Sequence, residues 1–368
     1  MARGKRVVIK VGTSTLTGED GRIDRAWIAD LARQCAALRA LGTHVVVVSS
    51  GAISAGMETM GLTERPDELT GLQATAAIGQ VHLIGTYAQI MGAAGIPVAQ
   101  ILLTRHDTGH RQAYLYACQT LERLLEMDVV PVVNENDTTA VDEIRFGDND
   151  TLAALVGVMV HADLVVLLTD IEGLYDANPA ESGDAALLAH VDEVTDELVA
   201  AAGGSGSSVG TGGMVTKLDA ARILMKAGIP MVVCDGHRPD VLIDAFKGEP
   251  VGTYFAGGEG EVEARKLWIA FARHPKGTVV VDGGARDALC LRGKSLLPAG
   301  VVRVDGVFLT GDPIEVVDES GRQVARGLAD ISSNDLARVM GRKSPEIALQ
   351  APELAGKEVV HRDRLVIL

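Results

Sequence analysis

Six short apolar runs, separated by helical patterns and each followed by small or polar residues, limit what this chain can fold into. They are RVVIKV from Arg6, HVVVVS from His44, IPVAQILL from Ile96, DVVPVV from Asp128, DLVVLL from Asp163 and IPMVVC from Ile229. Runs with so little polar alternation suit strands covered on both faces. Between them lie helical stretches such as IADLARQCAALRAL, which sets Ile28, Leu31, Cys35 and Leu38 on one face. The alternation predicts an α/β fold, a mostly parallel sheet with helices on both sides. In such sheets ligands bind beyond the carboxyl ends of the strands.

The pattern changes after Phe255. AGGEGEVEARK, rich in glycine and charge, reads as a linker, and beyond Lys276 come short strands separated by glycine turns: TVVVDGG, GVVRVDG, PIEVVDESG, QVARG and EVVHRD. Residues 1–256 are expected to form the first domain, 257–275 a linker and 276–368 a small, mainly β domain. Charge divides the same way. The whole chain carries 34 Lys+Arg against 49 Asp+Glu, whereas the part from Lys276 onward holds 13 of each. An acidic first domain and a neutral second one give no general attraction to nucleic acid, so RNA binding is not expected. The longest apolar stretch, LAALVGVMVHADLVVLL, is interrupted by His161 and Asp163 and falls short of the about 18 residues of a membrane span. No membrane partner is expected, and a cytoplasmic location is the default. Cys35, Cys118, Cys234 and Cys290 form no CxxC pair and are expected as buried free thiols.

The strand ends carry the polar chemistry. RVVIK leads into Lys10, Gly12, Thr13 and Ser14; HVVVV into Ser49, Ser50 and Gly51; DVVPVV into Asn134, Asn136 and Asp137; DLVVLL into Thr169 and Asp170. Any one set is explained by ordinary turns and caps. Four sets at one edge of one sheet point to a site. Lys10 lies inside an apolar strand, where a lysine needs either a partner or a route to solvent. In FGDNDTLAALV, Asp148, Asn149 and Asp150 stand directly before a helical pattern. A cap accounts for one of them. Two carboxylates so close together call for a cation or donor between them, which magnesium or a lysine would supply.

SSVGTGGMVTKLDAA, from Ser207, is not a P-loop, because Lys217 follows Thr216 and precedes Leu218. It does place glycines before a helix whose first turn would offer N–H groups and a positive dipole end to an anion.

Taken together, VIKVGTSTL, VVSSGAISAG, PVVNENDTTA, FGDNDTLAALV, LLTDIEGLYDANP and GTGGMVTKLDAA resemble the amino acid kinase family, in its glutamate-phosphorylating branch. The motifs span nearly the whole chain in the expected order. GKSLLPAGV, SSNDLARVMG and VVHRD in the tail resemble a PUA domain. The resemblance implies a three-layer αβα sandwich with a mostly parallel sheet, followed by a PUA-like domain. It also implies ATP with Mg²⁺ as cofactor and L-glutamate as substrate. Lys10 and Lys217 would contact the transferring phosphate, and Asp150 would hold them. Lys10, Gly12, Thr169, Asp170 and the segment Thr211, Gly212, Gly213, Met214, Val215, Thr216 and Lys217 would bind ATP. Ser50, Gly51, Asp137 and Asn149 would bind glutamate. A homo-oligomer, dimer or tetramer, and transfer of the product to a following enzyme are implied in the same way.

The chemistry agrees with that inventory. A glutamate side chain, with a pKa of about 4.3, is ionised at neutral pH and needs no general base. The obstacle is repulsion between a carboxylate and a triphosphate, which two lysines and Mg²⁺ would offset. Two alternatives stand beside this reading. One is a sister kinase acting on another carboxylate, such as acetylglutamate; the other is an RNA-binding or RNA-modifying protein, as the tail alone would suggest.

Overall fold

The computed structural model describes residues 4–104, 111–139, 149–177, 185–195, 197–199, 213–258 and 275–367. The chain divides into two compact units, 1–261 and 262–368. In the first, the described strands are β1 (Arg6–Val11), β2 (His44–Ser49), β3 (Val98–Leu103), β4 (Val130–Glu135), β5 (Leu164–Thr169), β6 (His190–Val191), β7 (Met231–Asp235) and β8 (Gly252–Phe255). All six apolar runs form strands. Their order in the sheet is β3-β4-β2-β1-β5-β7-β8-β6. From β3 to β7 every pairing is parallel. β8 runs antiparallel to β7, and β6 parallel to β8.

The described helices of this unit are α1 (Thr13–Leu16), α2 (Arg25–Ala40), α3 (Ala52–Met60), α4 (Leu69–Ala93), α5 (Arg111–Glu126), α6 (Asn149–Met159), α7 (Met214–Lys226) and α8 (Val241–Lys247). α2 begins where Asp24 Oδ1 accepts the N–H groups of Ala26 and Trp27, both at 2.9 Å. Alternation along β1 separates the two sides of the sheet. Val7, Ile9 and Val11 join Ile28, Leu31, Cys35 and Leu38 of α2, with Leu83 and Tyr87 of α4, in one core. Val8 and Lys10 face the opposite side, which α6 covers by packing across β1, β2, β4 and β5. The result is three layers. α6 is buried almost all round, from Asn149 to Met159.

The second unit has a five-stranded sheet of its own, in the order β10-β9-β11-β12-β13, built from β9 (Gly277–Val281), β10 (Val301–Gly306), β11 (Pro313–Asp318), β12 (Gln323–Leu328) and β13 (Leu365–Ile367). Val279, Phe308, Ile314, Val316, Leu336 and Val360 are among its core residues. Two details differ from the sequence reading. EVVHRD does not form a continuous strand: Val360 makes an isolated bridge to Leu296, the His361 ring accepts the Asp363 N–H at 3.1 Å, and β13 starts only at Leu365. Three short helices, α9 (Gly283–Cys290), α10 (Ser333–Val339) and α11 (Ser344–Gln350), interrupt the strands.

The thiols also depart from expectation. Cys35 and Cys234 are buried, but Cys118 is half-buried and Cys290, in α9, is exposed. Among the described residues no helix is long and apolar enough to cross a membrane.

Candidate active site

Four neighbouring strands, β4, β2, β1 and β5, bring their carboxyl ends side by side, and the polar residues singled out above converge there. Register alignment sets Lys10 opposite Val48 of β2 and Leu167 of β5, so its side chain rises on the α6 face one residue before the strand ends. α6 starts above it. Asp150, in the first turn of that helix, is completely buried, and its Oδ1 lies 2.6 Å from Lys10 Nζ. Its other oxygen, Oδ2, accepts from Lys217 Nζ at 3.2 Å and lies 3.1 Å from Thr216 Oγ1. Lys10 and Lys217 are only 5% and 7% exposed, which keeps water from screening them. Lys10 thus has a partner and does not run out to solvent. Two lysines are among the donors that Asp150 demands. Asp148 lies outside the described residues.

Lys217 reaches this point because α7 starts at Met214, with Gly213 as its N-cap and no side-chain cap bond. Thr216 Oγ1 also lies 2.7 Å from Gly213 O, so its one hydrogen serves either that carbonyl or Asp150 and sets the first turn of α7 against the carboxylate. The start of α7 is therefore directed at the same cluster and suits an anion. Thr211 and Gly212 lie outside the described residues.

A second cluster adjoins the first through α6. Asn149 Nδ2 lies 3.1 Å from Ser49 O, 2.9 Å from Ser50 Oγ and 3.0 Å from Asn134 Oδ1. Asn134 in turn accepts the Glu135 N–H at 2.8 Å and donates from Nδ2 to Gln80 Oε1 of α4 at 3.0 Å. Gly51 follows with φ of +96°, and a Cβ there would come within 2.7 Å of Leu16 Cδ2, so only glycine lets the chain turn from β2 into α3. Asp137 borders a 380 Å³ cavity with Gln80, Val81, Gln100, Leu102 and Asn136.

Toward β5, the buried Gly12 donates its N–H to Leu168 O at 3.4 Å. Thr169 is folded into its own loop: Oγ1 donates to Ile171 O at 2.9 Å and accepts the Ile171 N–H at 3.1 Å. Its hydroxyl shapes the turn after β5, while Asp170 beside it is exposed. Met214 and Val215 are half-buried at the start of α7.

The sites marked at the strand ends therefore assemble as two touching clusters, with Lys10, Asp150, Thr216 and Lys217 in one and Ser50, Asn134 and Asn149 in the other. Gln80 escaped the sequence reading, since one glutamine inside a long helix gives no local signal.

Residues 5–235 match the amino acid kinase family and residues 277–348 the PUA domain. The chain is 46% identical over 368 residues to glutamate 5-kinase of Geobacter sulfurreducens, covering 100% of this chain and 99% of that protein. It is 48% identical over 364 residues to glutamate 5-kinase of Geobacter metallireducens, with 99% and 98% covered. To glutamate 5-kinase of Moorella thermoacetica it is 46% identical over 372 residues, with 100% and 97% covered.

Proposed function

The chain belongs to the amino acid kinase family, in its glutamate 5-kinase branch, and from that premise we propose how its own residues carry out the reaction. The activity is ATP-dependent phosphorylation of the L-glutamate γ-carboxylate to L-glutamyl 5-phosphate, the first step of proline biosynthesis. One observation carries the assignment of roles: two almost fully buried lysines, from β1 and α7, converge on a single buried carboxylate at the strand ends.

The γ-carboxylate of glutamate attacks the terminal phosphorus of ATP, ADP leaves, and an acyl phosphate forms. No proton has to be removed from the nucleophile. The work of the site is electrostatic and positional. Lys10 and Lys217 offset the negative charge that builds on the transferring oxygens, and Asp150 holds both ammonium groups in place without touching substrate. The start of α7, from Gly213 to Thr216, and the turn at Thr169 and Asp170 cradle the nucleotide, with Gly12 leaving room beside Lys10. Ser50, Gly51, Asp137 and Asn149 hold glutamate. Among the described residues no group of three or more His, Cys, Asp or Glu side chains forms a metal cage. The Mg²⁺ expected with ATP would be carried mainly by the phosphates and water.

Acyl phosphates hydrolyse readily, which favours hand-over of the product to the next enzyme. Assembly into a dimer or tetramer and a cytoplasmic location belong to the same reading.

ADP release coupled to a panel of acidic amino acids, with hydroxylamine to trap the acyl phosphate, tests the proposal. Glutamate should give ADP and hydroxamate in equal amounts. A preference for N-acetylglutamate or aspartate, or ADP release without hydroxamate, would overturn it.

A further inference from the structure

The Glu135 N–H, the Gln80 side-chain oxygen and the Ser49 carbonyl together orient the Asn134 and Asn149 amides near the proposed glutamate site. The Glu135 N–H can only donate, so the Asn134 atom that meets it at 2.8 Å is the oxygen. The Asn134 nitrogen then faces Gln80, whose oxygen accepts at 3.0 Å. With the Asn134 oxygen turned toward Asn149, and with the Ser49 carbonyl at 3.1 Å, the Asn149 nitrogen faces at least two groups that can only accept. Its two hydrogens are used within the protein. Asn149 Oδ1 accepts no hydrogen bond among the described residues, and it is not one of the buried polar atoms lacking a partner. Ser50 Oγ lies 2.9 Å from the same nitrogen, which cannot accept a hydrogen bond, so the Ser50 hydroxyl turns its own hydrogen elsewhere.

We propose that Gln80 is a positioning residue for substrate recognition: through Asn134 it holds the Asn149 amide with its oxygen outward, so that Asn149 reads the α-ammonium group of the substrate as an acceptor. This rests on Asn149 lying in the glutamate site, as set out above, and it changes the expected contact. An asparagine amide can meet a carboxylate only through its N–H groups, and in the folded chain those of Asn149 are occupied. Recognition of an ammonium group then falls to an amide oxygen beside the carboxylate of Asp137, while the Ser50 hydroxyl is left to donate to a carboxylate. Gln80 also lines the 380 Å³ cavity that Asp137 borders, which places both at one end of the site.

The test compares Gln80→Met, close in shape but without the acceptor, with Gln80→Glu, which keeps an acceptor toward Asn134. Each full-length variant is assayed for glutamate turnover and for competitive inhibition by glutarate, which has both carboxylates but no ammonium. Gln80→Met should raise the glutamate KM about fivefold, as expected for one misdirected hydrogen bond. Its kcat, its KM for ATP and its glutarate Ki should stay within about twofold, and Gln80→Glu should restore most of the glutamate KM. Partial unfolding lowers kcat without moving either constant, so it does not imitate this pattern. An unchanged glutamate KM in Gln80→Met would overturn the proposal. So would equal weakening of glutamate and glutarate, which would make Asn149 a carboxylate donor, or a Gln80→Glu variant as impaired as Gln80→Met. If the unchanged protein fails to turn over glutamate, the kinase reading falls; if it succeeds, these outcomes bear on Gln80 alone.

Discussion

Lys10 and Lys217 sit within 3.2 Å of one carboxylate and are nearly sealed from water, so each ammonium group acts on its neighbours at low effective dielectric. Removing Lys217 should therefore act on charge that develops during transfer more than on binding of the ground state. Lys217→Ala is expected to lower kcat by roughly a hundredfold or more while the KM for ATP changes far less, as steady-state kinetics would show. Asp150→Ala should abolish turnover and also weaken the fold by about 3–5 kcal/mol in urea titrations without nucleotide, because two buried ammonium groups lose their shared counter-ion. An active or fully stable Asp150→Ala would contradict the role given to it. Much of this cluster is legible in the sequence, since Lys10 interrupts an apolar strand and Asp150 follows another acidic residue at a helix start. What no local pattern carries is the partnership itself, which depends on α6 and α7 both starting beside the carboxyl end of β1. Thr169 shows the opposite limit: its position at a strand end was clear, but not that its hydroxyl would turn back onto Ile171.

At the scale of elements, α3 and α4 meet through glycines, and that contact sets where Gln80 stands. A Cβ on Gly79 would lie 1.8 Å from Ala52 O and 2.2 Å from Gly56 N, and one on Gly56 would lie 1.9 Å from Thr75 O. Those neighbours are backbone atoms and cannot swing aside. Gly79→Ala should push the helices apart, cost about 3 kcal/mol or more of stability and raise the glutamate KM by displacing Gln80, measured by denaturant titration and kinetics. A variant as stable as the parent would mean the helices slide at no cost. The strands of the first unit were readable because each is a continuous apolar run; their neighbours were not, since the order β3-β4-β2-β1-β5-β7 follows from crossover connections. In the second unit the strand pattern hid short helices. α9 and α10 begin at Asp282, whose Oδ1 accepts the Ala285 N–H at 2.7 Å, and at Ser332, whose Oγ accepts the Asp335 N–H at 3.2 Å. Those caps are visible in DGGA and SSND once a helix is sought.

For the molecule as a whole, two consequences follow from separate cores. Cys35 and Cys234 lie in the core of the first unit, where burial pushes each thiol from 9.0 up to about 12. Folding thus favours the protonated thiols, so their contribution is complete below pH 9 and is lost as pH rises toward 12, where an unfolded chain has already released the protons. Stability should fall by about 1.4 kcal/mol per pH unit for each thiol within that window, and Cys35→Ala, though less stable at pH 7, should show a shallower decline in urea titrations. An equal slope in the variant would remove the thiol from the explanation. The second consequence concerns the tail. Lys10, Asp150, Thr216 and Lys217 partner one another inside the first unit, every residue proposed to act on ATP or glutamate precedes Leu218, and each unit has its own sheet and core. A unit with its own core can fold alone. A chain ending near residue 268 should therefore stay soluble and still phosphorylate glutamate in the ADP-release assay, with changes confined to its magnesium response, regulation or assembly. Folded but inactive truncated protein would show instead that the tail supplies part of the site, or an assembly on which the site depends.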